Sequence, residues 1–196
     1  MFRSKKSYGQ HFLNNPETAY KIVKSLTGHK GYKNVLEIGP GKGILSNKLL
    51  KEDKWKLKFI EKDEEAIDYL RNHLPEIVPY LLNEDFLKCD LKKFVDSPFA
   101  VIGNFPYNIS SQILFKIIQN KDRIPEVIGM FQKEVADRII SSPQSKNYGI
   151  LSVHVQTWYD CETIVKLKPR SFTPPPKVNS AVIHFKRNER KTLPVN

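Results

Sequence analysis

Leu36-Glu37-Ile38-Gly39-Pro40-Gly41-Lys42-Gly43 is the stretch from which the rest of the chain is read. The apolar run 34–38 is short enough for one buried strand, its glycines then impose a turn, and Ile44, Leu45, Leu49 and Leu50 follow at helical spacing. Strand, glycine turn and helix in this order make the unit of open α/β sheets, which bind ligands at the C-terminal ends of their strands. A dinucleotide fingerprint needs a small residue at the sixth motif position, where this chain has Ile44. The Gly39-x-Gly41-x-Gly43 spacing therefore suits a cofactor without a diphosphate, although the turn alone also fits a purely structural bend.

Outward from this unit the pattern repeats. Upstream, Asn14 or Asn15 caps a helix opened by Pro16, with Ala19, Ile22, Val23 and Leu26 on one face. Downstream, Leu57 and Phe59 alternate with Lys56 and Lys58 in a strand that ends at Glu61, and Asp63 caps a helix that stops at Pro75. Apolar runs at 77–82, 99–102 and 127–131 predict further strands, alternating with helices near 109–120 and 133–141. Residues 150–158 fit a helix or a strand, with helix preferred; 163–167 and 178–185 read as final strands around an irregular proline-rich stretch, 169–176. Strands alternating with helices predict a mostly parallel sheet covered on both faces.

Composition narrows the class. The 196 residues suit one domain, and 40% hydrophobic with 27% charged residues exclude both a disordered tail and a membrane bundle. The first ten residues hold no apolar signal core, so a cytoplasmic location is expected. Cys89 and Cys161 are too few for a disulfide framework and are read as reduced, buried thiols. The five histidines, including His11, show no metal-ligand spacing, and no metal is expected. A formal charge of +11 draws in a polyanion, with nucleic acid the first candidate, though a lysine-rich surface also serves solubility alone. The excess sits at the ends: Arg3, Lys5 and Lys6, then Lys166, Lys168, Arg170, Lys177, Lys186, Arg187, Arg190 and Lys191.

Two strand ends carry carboxylates. Glu61 is placed to accept both ribose hydroxyls of a nucleoside, and Asp85, followed by apolar Phe86, to accept from an adenine amino group. The fourth strand runs into Gly103-Asn104-Phe105-Pro106-Tyr107-Asn108. An exocyclic adenine amine is a poor nucleophile because its lone pair is delocalised into the ring. The Asn104 side-chain carbonyl and the Phe105 main-chain carbonyl, held by rigid Pro106, offer two acceptors that favour a pyramidal nitrogen, and Tyr107 offers a ring for the base. A proline turn packed by aromatics is the plainer reading of the same residues.

Taken together, Gly9-Gln10-His11-Phe12-Leu13, the glycine loop, Glu61, Asp85, Asn104 to Tyr107, Tyr148-Gly149 and the segment 171–181 resemble the KsgA-type rRNA adenine N6-dimethyltransferase family over essentially the whole chain. The resemblance implies a class I S-adenosylmethionine-dependent, Rossmann-like α/β fold with a mostly parallel seven-stranded sheet. It implies S-adenosylmethionine as cofactor, S-adenosylhomocysteine as product, and N6 methylation of two adjacent adenines near the 3′ end of small-subunit rRNA within a pre-ribosomal particle; a monomer is expected, although the sequence does not itself give the oligomeric state. It further implies that Gln10, His11 and Leu13 hold the methionine end with Gly39 and Gly41 beneath it. Glu61 and Lys62 would serve the ribose side, Asp85 and Phe86 the adenine, with Asn104 also touching the cofactor. Asn104, Phe105, Pro106 and Tyr107 would form the catalytic corner, and Phe172 would close over the other face of a flipped base, although Phe172 equally fits a core position.

Two departures stand out. Phe105 replaces the family's commoner leucine, at a position whose carbonyl is used. The family's C-terminal helical domain is absent from this sequence, so residues 1–196 are expected to be the catalytic domain. Alternatives are a large-subunit rRNA adenine N6-methyltransferase of the macrolide-resistance type, a DNA adenine methyltransferase, for which no target-recognition region is seen, and a non-catalytic RNA-binding assembly factor.

Overall fold

A computed structural model describes residues 10–93, 95 and 98–191; Arg3, Lys5, Lys6, Tyr8 and Gly9 lie outside the described residues. In chain order the strands are β1 Phe12–Leu13, β2 Asn34–Ile38, β3 Lys56–Glu61, β4 Leu81–Asn83, β5 Phe99–Asn104, β6 Glu126–Gln132, β7 Tyr159–Leu167, β8 Phe172–Thr173 and β9 Ser180–Arg187. The helices are α1 Pro16–Lys24, α2 Ser46–Leu49, α3 Glu64–His73, α4 Ser110–Gln119, α5 Lys133–Ile140 and α6 Ile150–Trp158. Seven strands form one sheet in the order β4-β3-β2-β5-β6-β9-β7. Neighbours from β4 to β6 pair in parallel, and β9 runs antiparallel to both β6 and β7. The chain works outward from β2 to β4 and then returns to β5, so the topological switch point lies between β2 and β5.

Both sheet faces are apolar at the centre, as the near-continuous hydrophobicity of β5 requires. Along β5, Phe99 and Val101 enter one core with Ile113 and Ile117 of α4, Ile139 of α5 and Val155 of α6. Ala100 and Ile102 enter the other with Ile22 of α1, Leu49 of α2 and Leu70 of α3. Local signals set the helix starts: Asn15 accepts the Thr18 N–H at 2.9 Å ahead of Pro16, and Asp63 accepts that of Glu65 at 3.2 Å.

Four expectations are corrected. The helix expected over 44–50 is a single turn, because positive φ at Gly39, Gly41 and Gly43 delays it. Residues 75–80 are 3-10 turns and only Leu81–Asn83 is strand, since Pro75 and Pro79 lack ladder donors. The stretch 169–176 is not wholly irregular: Pro169–Ser171 is a 3-10 turn, and β8 pairs antiparallel with β1, Leu13 opposite Phe172. Cys89 and Cys161 are free but only half-buried. Among the described residues no helix is long and apolar enough to cross a membrane, and no group of three His, Cys, Asp or Glu is placed to hold a metal ion.

Candidate active site

The C-terminal ends of β2, β3 and β5 open onto two adjoining clefts, with Gln10, Gly39, Glu61 and Pro106 in the walls of both. The first is also lined by His11, Leu13, Gly41, Asn104, Phe105 and Tyr107, the second by Lys62, Asp85 and Phe86. The structure thus gathers all the sequence-predicted site residues at one sheet edge except Phe172. That ring is 2% exposed and packs in the core with Leu13, because pairing of β8 with β1 draws it inward. Its expected place over a base is corrected accordingly.

The glycine loop is open where a cofactor would approach. Gly39 has φ +65°, and a Cβ there would meet no heavy atom within 4 Å, so the backbone itself faces the cavity. Gly41 serves a different purpose: a Cβ on it would lie 2.9 Å from the Phe12 ring, so its lack of a side chain lets β1 settle on the loop. Glu61 accepts N–H groups from Gly41 at 3.3 Å, Lys62 at 3.0 Å and Asp63 at 3.1 Å. Burial pushes its pKa up, and these three bonds only partly oppose it. Gln10 donates to Asp63 at 3.2 Å and so ties the N-terminal segment to the cap of α3. Asp85 sits two residues beyond β4; its Oδ1 accepts the Leu87 N–H at 2.9 Å and its Oδ2 lies 3.6 Å from Lys62 Nζ. Phe86, 5% exposed, supplies the apolar wall beside it.

At the corner, Asn104 Nδ2 donates to the His11 carbonyl at 2.7 Å. A carbonyl only accepts, so this bond assigns the amide orientation and leaves Oδ1 as the acceptor. Among the described residues Oδ1 has no donor. The Phe105 side chain is fully buried, edge-on to Phe131 at 5.3 Å. Its slot exists because Gly103 and Gly129 are register partners on β5 and β6: a Cβ on either would approach the Phe105 ring within 2.8 Å. Burying the ring anchors Pro106 and the Phe105 carbonyl at the cavity edge. Tyr107 lies 5.3 Å from the His11 ring, tilted by 30°.

Glu37 was not among the expected site residues. It is 2% exposed, lines the first cavity, and accepts from Ser46 Oγ at 2.7 Å. Burial pushes its pKa up to about 8, against the Ser46 bond. An acidic residue inside an otherwise apolar strand is the signal that singles it out.

Residues 1–196 match the family Ribosomal RNA adenine dimethylase. The chain belongs to that family. It is 50% identical over 192 residues to the Ribosomal RNA small subunit methyltransferase A of Cytophaga hutchinsonii, covering 98% of this chain and 74% of that protein. It is 49% identical over 193 residues to the protein so named from Parabacteroides distasonis, covering 98% and 72%. Among solved structures, the rRNA adenine dimethylase fold is shared with a dimethyladenosine transferase from Plasmodium falciparum at TM-score 0.76 and 30% identity, covering 91% of this chain and 64% of that one. The 23S rRNA methyltransferase ErmE superposes at TM-score 0.75 and 28% identity, covering 93% and 72%. The fold is therefore that of the class I methyltransferases, with the dimethylase's glycine loop and Asn-Phe-Pro-Tyr corner facing each other across the switch point.

Proposed function

We propose that this rRNA adenine dimethylase transfers methyl groups from S-adenosylmethionine to N6 of two adjacent adenines near the 3′ end of small-subunit rRNA, as a cytoplasmic monomer acting on a pre-ribosomal particle. One observation carries the chemistry: the bond from Asn104 Nδ2 to the His11 carbonyl presents Oδ1 as an acceptor at the cavity lip. When bound, the cofactor supplies an electrophilic sulfonium methyl. Its fit rests on the open backbone at Gly39, the acceptor Glu61, and a second cavity with Asp85 and Phe86 on its wall. Gln10 and Leu13 stand at the first cavity, where the methionine end would lie.

The chain's own contribution is alignment and polarisation. Asn104 Oδ1 and the Phe105 carbonyl accept the two N6 hydrogens, localising the nitrogen lone pair towards the incoming carbon. Tyr107 provides the ring against which the unstacked adenine lies. After transfer the methylated amine is cationic and acidic enough to pass its proton to water, so no side-chain base is required. The positive charge of Lys166, Lys168, Arg170 and Lys177, clustered in sequence around β8, suits the phosphates flanking the target.

Labelled cofactor, undermethylated small-subunit particles and mapping of the modified bases test this reading. Label is expected on N6 of small-subunit adenines, and Asn104→Ala should lower turnover by about 100-fold with little change in cofactor affinity. Label on large-subunit RNA, no transfer, or full turnover in Asn104→Ala would each overturn it.

A further inference from the structure

Ser180 opens β9 and is 1% exposed. Its backbone is held between two strands, opposite Gln132 of β6 and Leu167 of β7. Its Oγ lies 2.5 Å from Tyr107 Oη, and either hydroxyl can donate. Among the described residues neither hydroxyl has another hydrogen-bond partner. Burial pushes the Tyr107 pKa up, with the Ser180 bond opposing it, so the phenol meets Ser180 as a neutral group.

The face of the same ring is held from elsewhere. His11, 5.3 Å away, has Nδ1 at 2.8 Å from the Pro174 carbonyl, so this nitrogen carries a hydrogen. Tyr107 is therefore restrained on one face by the segment leading into β1 and at its hydroxyl by β9. A tyrosine tethered only by its own backbone rotates about two torsions; a hydroxyl bonded to a doubly paired strand removes that freedom.

We propose that Ser180 is a positioning residue for methyl transfer: it anchors Tyr107 Oη so that the ring keeps the pose on which the target base stacks. The proposal rests on the reading that Tyr107 receives an adenine. Its place in the sequence conceals it, since Ser180 lies 73 residues from Tyr107.

Ser180→Ala, Tyr107→Phe and the double variant test it, through methyl transfer to undermethylated small-subunit particles, calorimetric binding of S-adenosylhomocysteine, and a crystal structure of Ser180→Ala. Ser180→Ala is expected to lower kcat about ten-fold while affinity for S-adenosylhomocysteine stays within about two-fold. The double variant should be no slower than the slower single variant, because both remove one bond. In the crystal the Tyr107 ring should leave its position beside His11. Parental kcat in Ser180→Ala, multiplicative losses in the double variant, or an unmoved ring would overturn the proposal. If the unaltered protein does not methylate small-subunit particles, the functional reading falls, while the ring position in Ser180→Ala still decides the role of Ser180.

Discussion

Glu61 illustrates how a single side chain is prepared by its neighbours. Three N–H groups hold the carboxylate at the junction of the two cavities, and burial raises the free energy of its charged form. On the proposed reading, ribose hydroxyls would add donors to an acceptor already oriented, so Glu61→Gln should weaken S-adenosylmethionine binding by about ten-fold or more, read by calorimetry, with kcat at saturating cofactor little changed. Such residues were legible in sequence because their chemistry is local: a carboxylate ending a strand, a carboxamide before a rigid proline. Phe172 and Ser180 were not, for the opposite reason. The place of each depends on a partner remote in sequence, Leu13 for one and Tyr107 for the other, and no local pattern encodes which side of a loop turns inward.

Among the elements, β5 and β6 show how packing supports chemistry. Gly103 and Gly129 sit opposite each other and leave room for Phe105 beneath the corner formed by Asn104, Pro106 and Tyr107. Gly129→Ala should force the Phe105 and Phe131 rings apart, since its Cβ would lie 2.6 Å from both. A loss of about 1–3 kcal/mol is expected by urea denaturation, with turnover reduced in the folded protein. The limits of β2 were legible because hydrophobicity and flanking glycines agree there, and α6 because its apolar spacing outweighed its β-branched residues. β4 was overextended in sequence because apolar residues separated by prolines can be buried without pairing. β1 and β8 were missed altogether; two-residue strands carry no periodicity, and each exists only through the other.

Across the whole molecule, two buried carboxyls shape stability in opposite directions. Glu126 accepts hydrogen bonds from Thr27, Gly28, His29, Tyr32 and His184, joining the loop after α1 to β6 and β9. Burial alone would raise its pKa, but these bonds hold it at about 2, so its contribution is present above the ordinary value of 4.5 and is lost as pH falls towards 2. Glu37, raised to about 8, contributes fully below 4.5 and loses that contribution as pH rises through 8. The urea midpoint should therefore fall between about pH 5 and about pH 9, and Glu37→Gln should remove much of that fall; an unchanged slope would show that Glu37 ionises without cost in the folded protein. By itself the sequence determined the alternation of strands and helices, the glycine loop and the polar corner, because propensity, periodicity and side-chain chemistry are properties of neighbouring residues. Only the tertiary structure decided the antiparallel place of β9, the seating of β1 on the glycine loop, the orientation of the Asn104 amide and the burial of Phe172. Each of those depends on contacts between distant segments, whose geometry exists only once the chain has closed on itself.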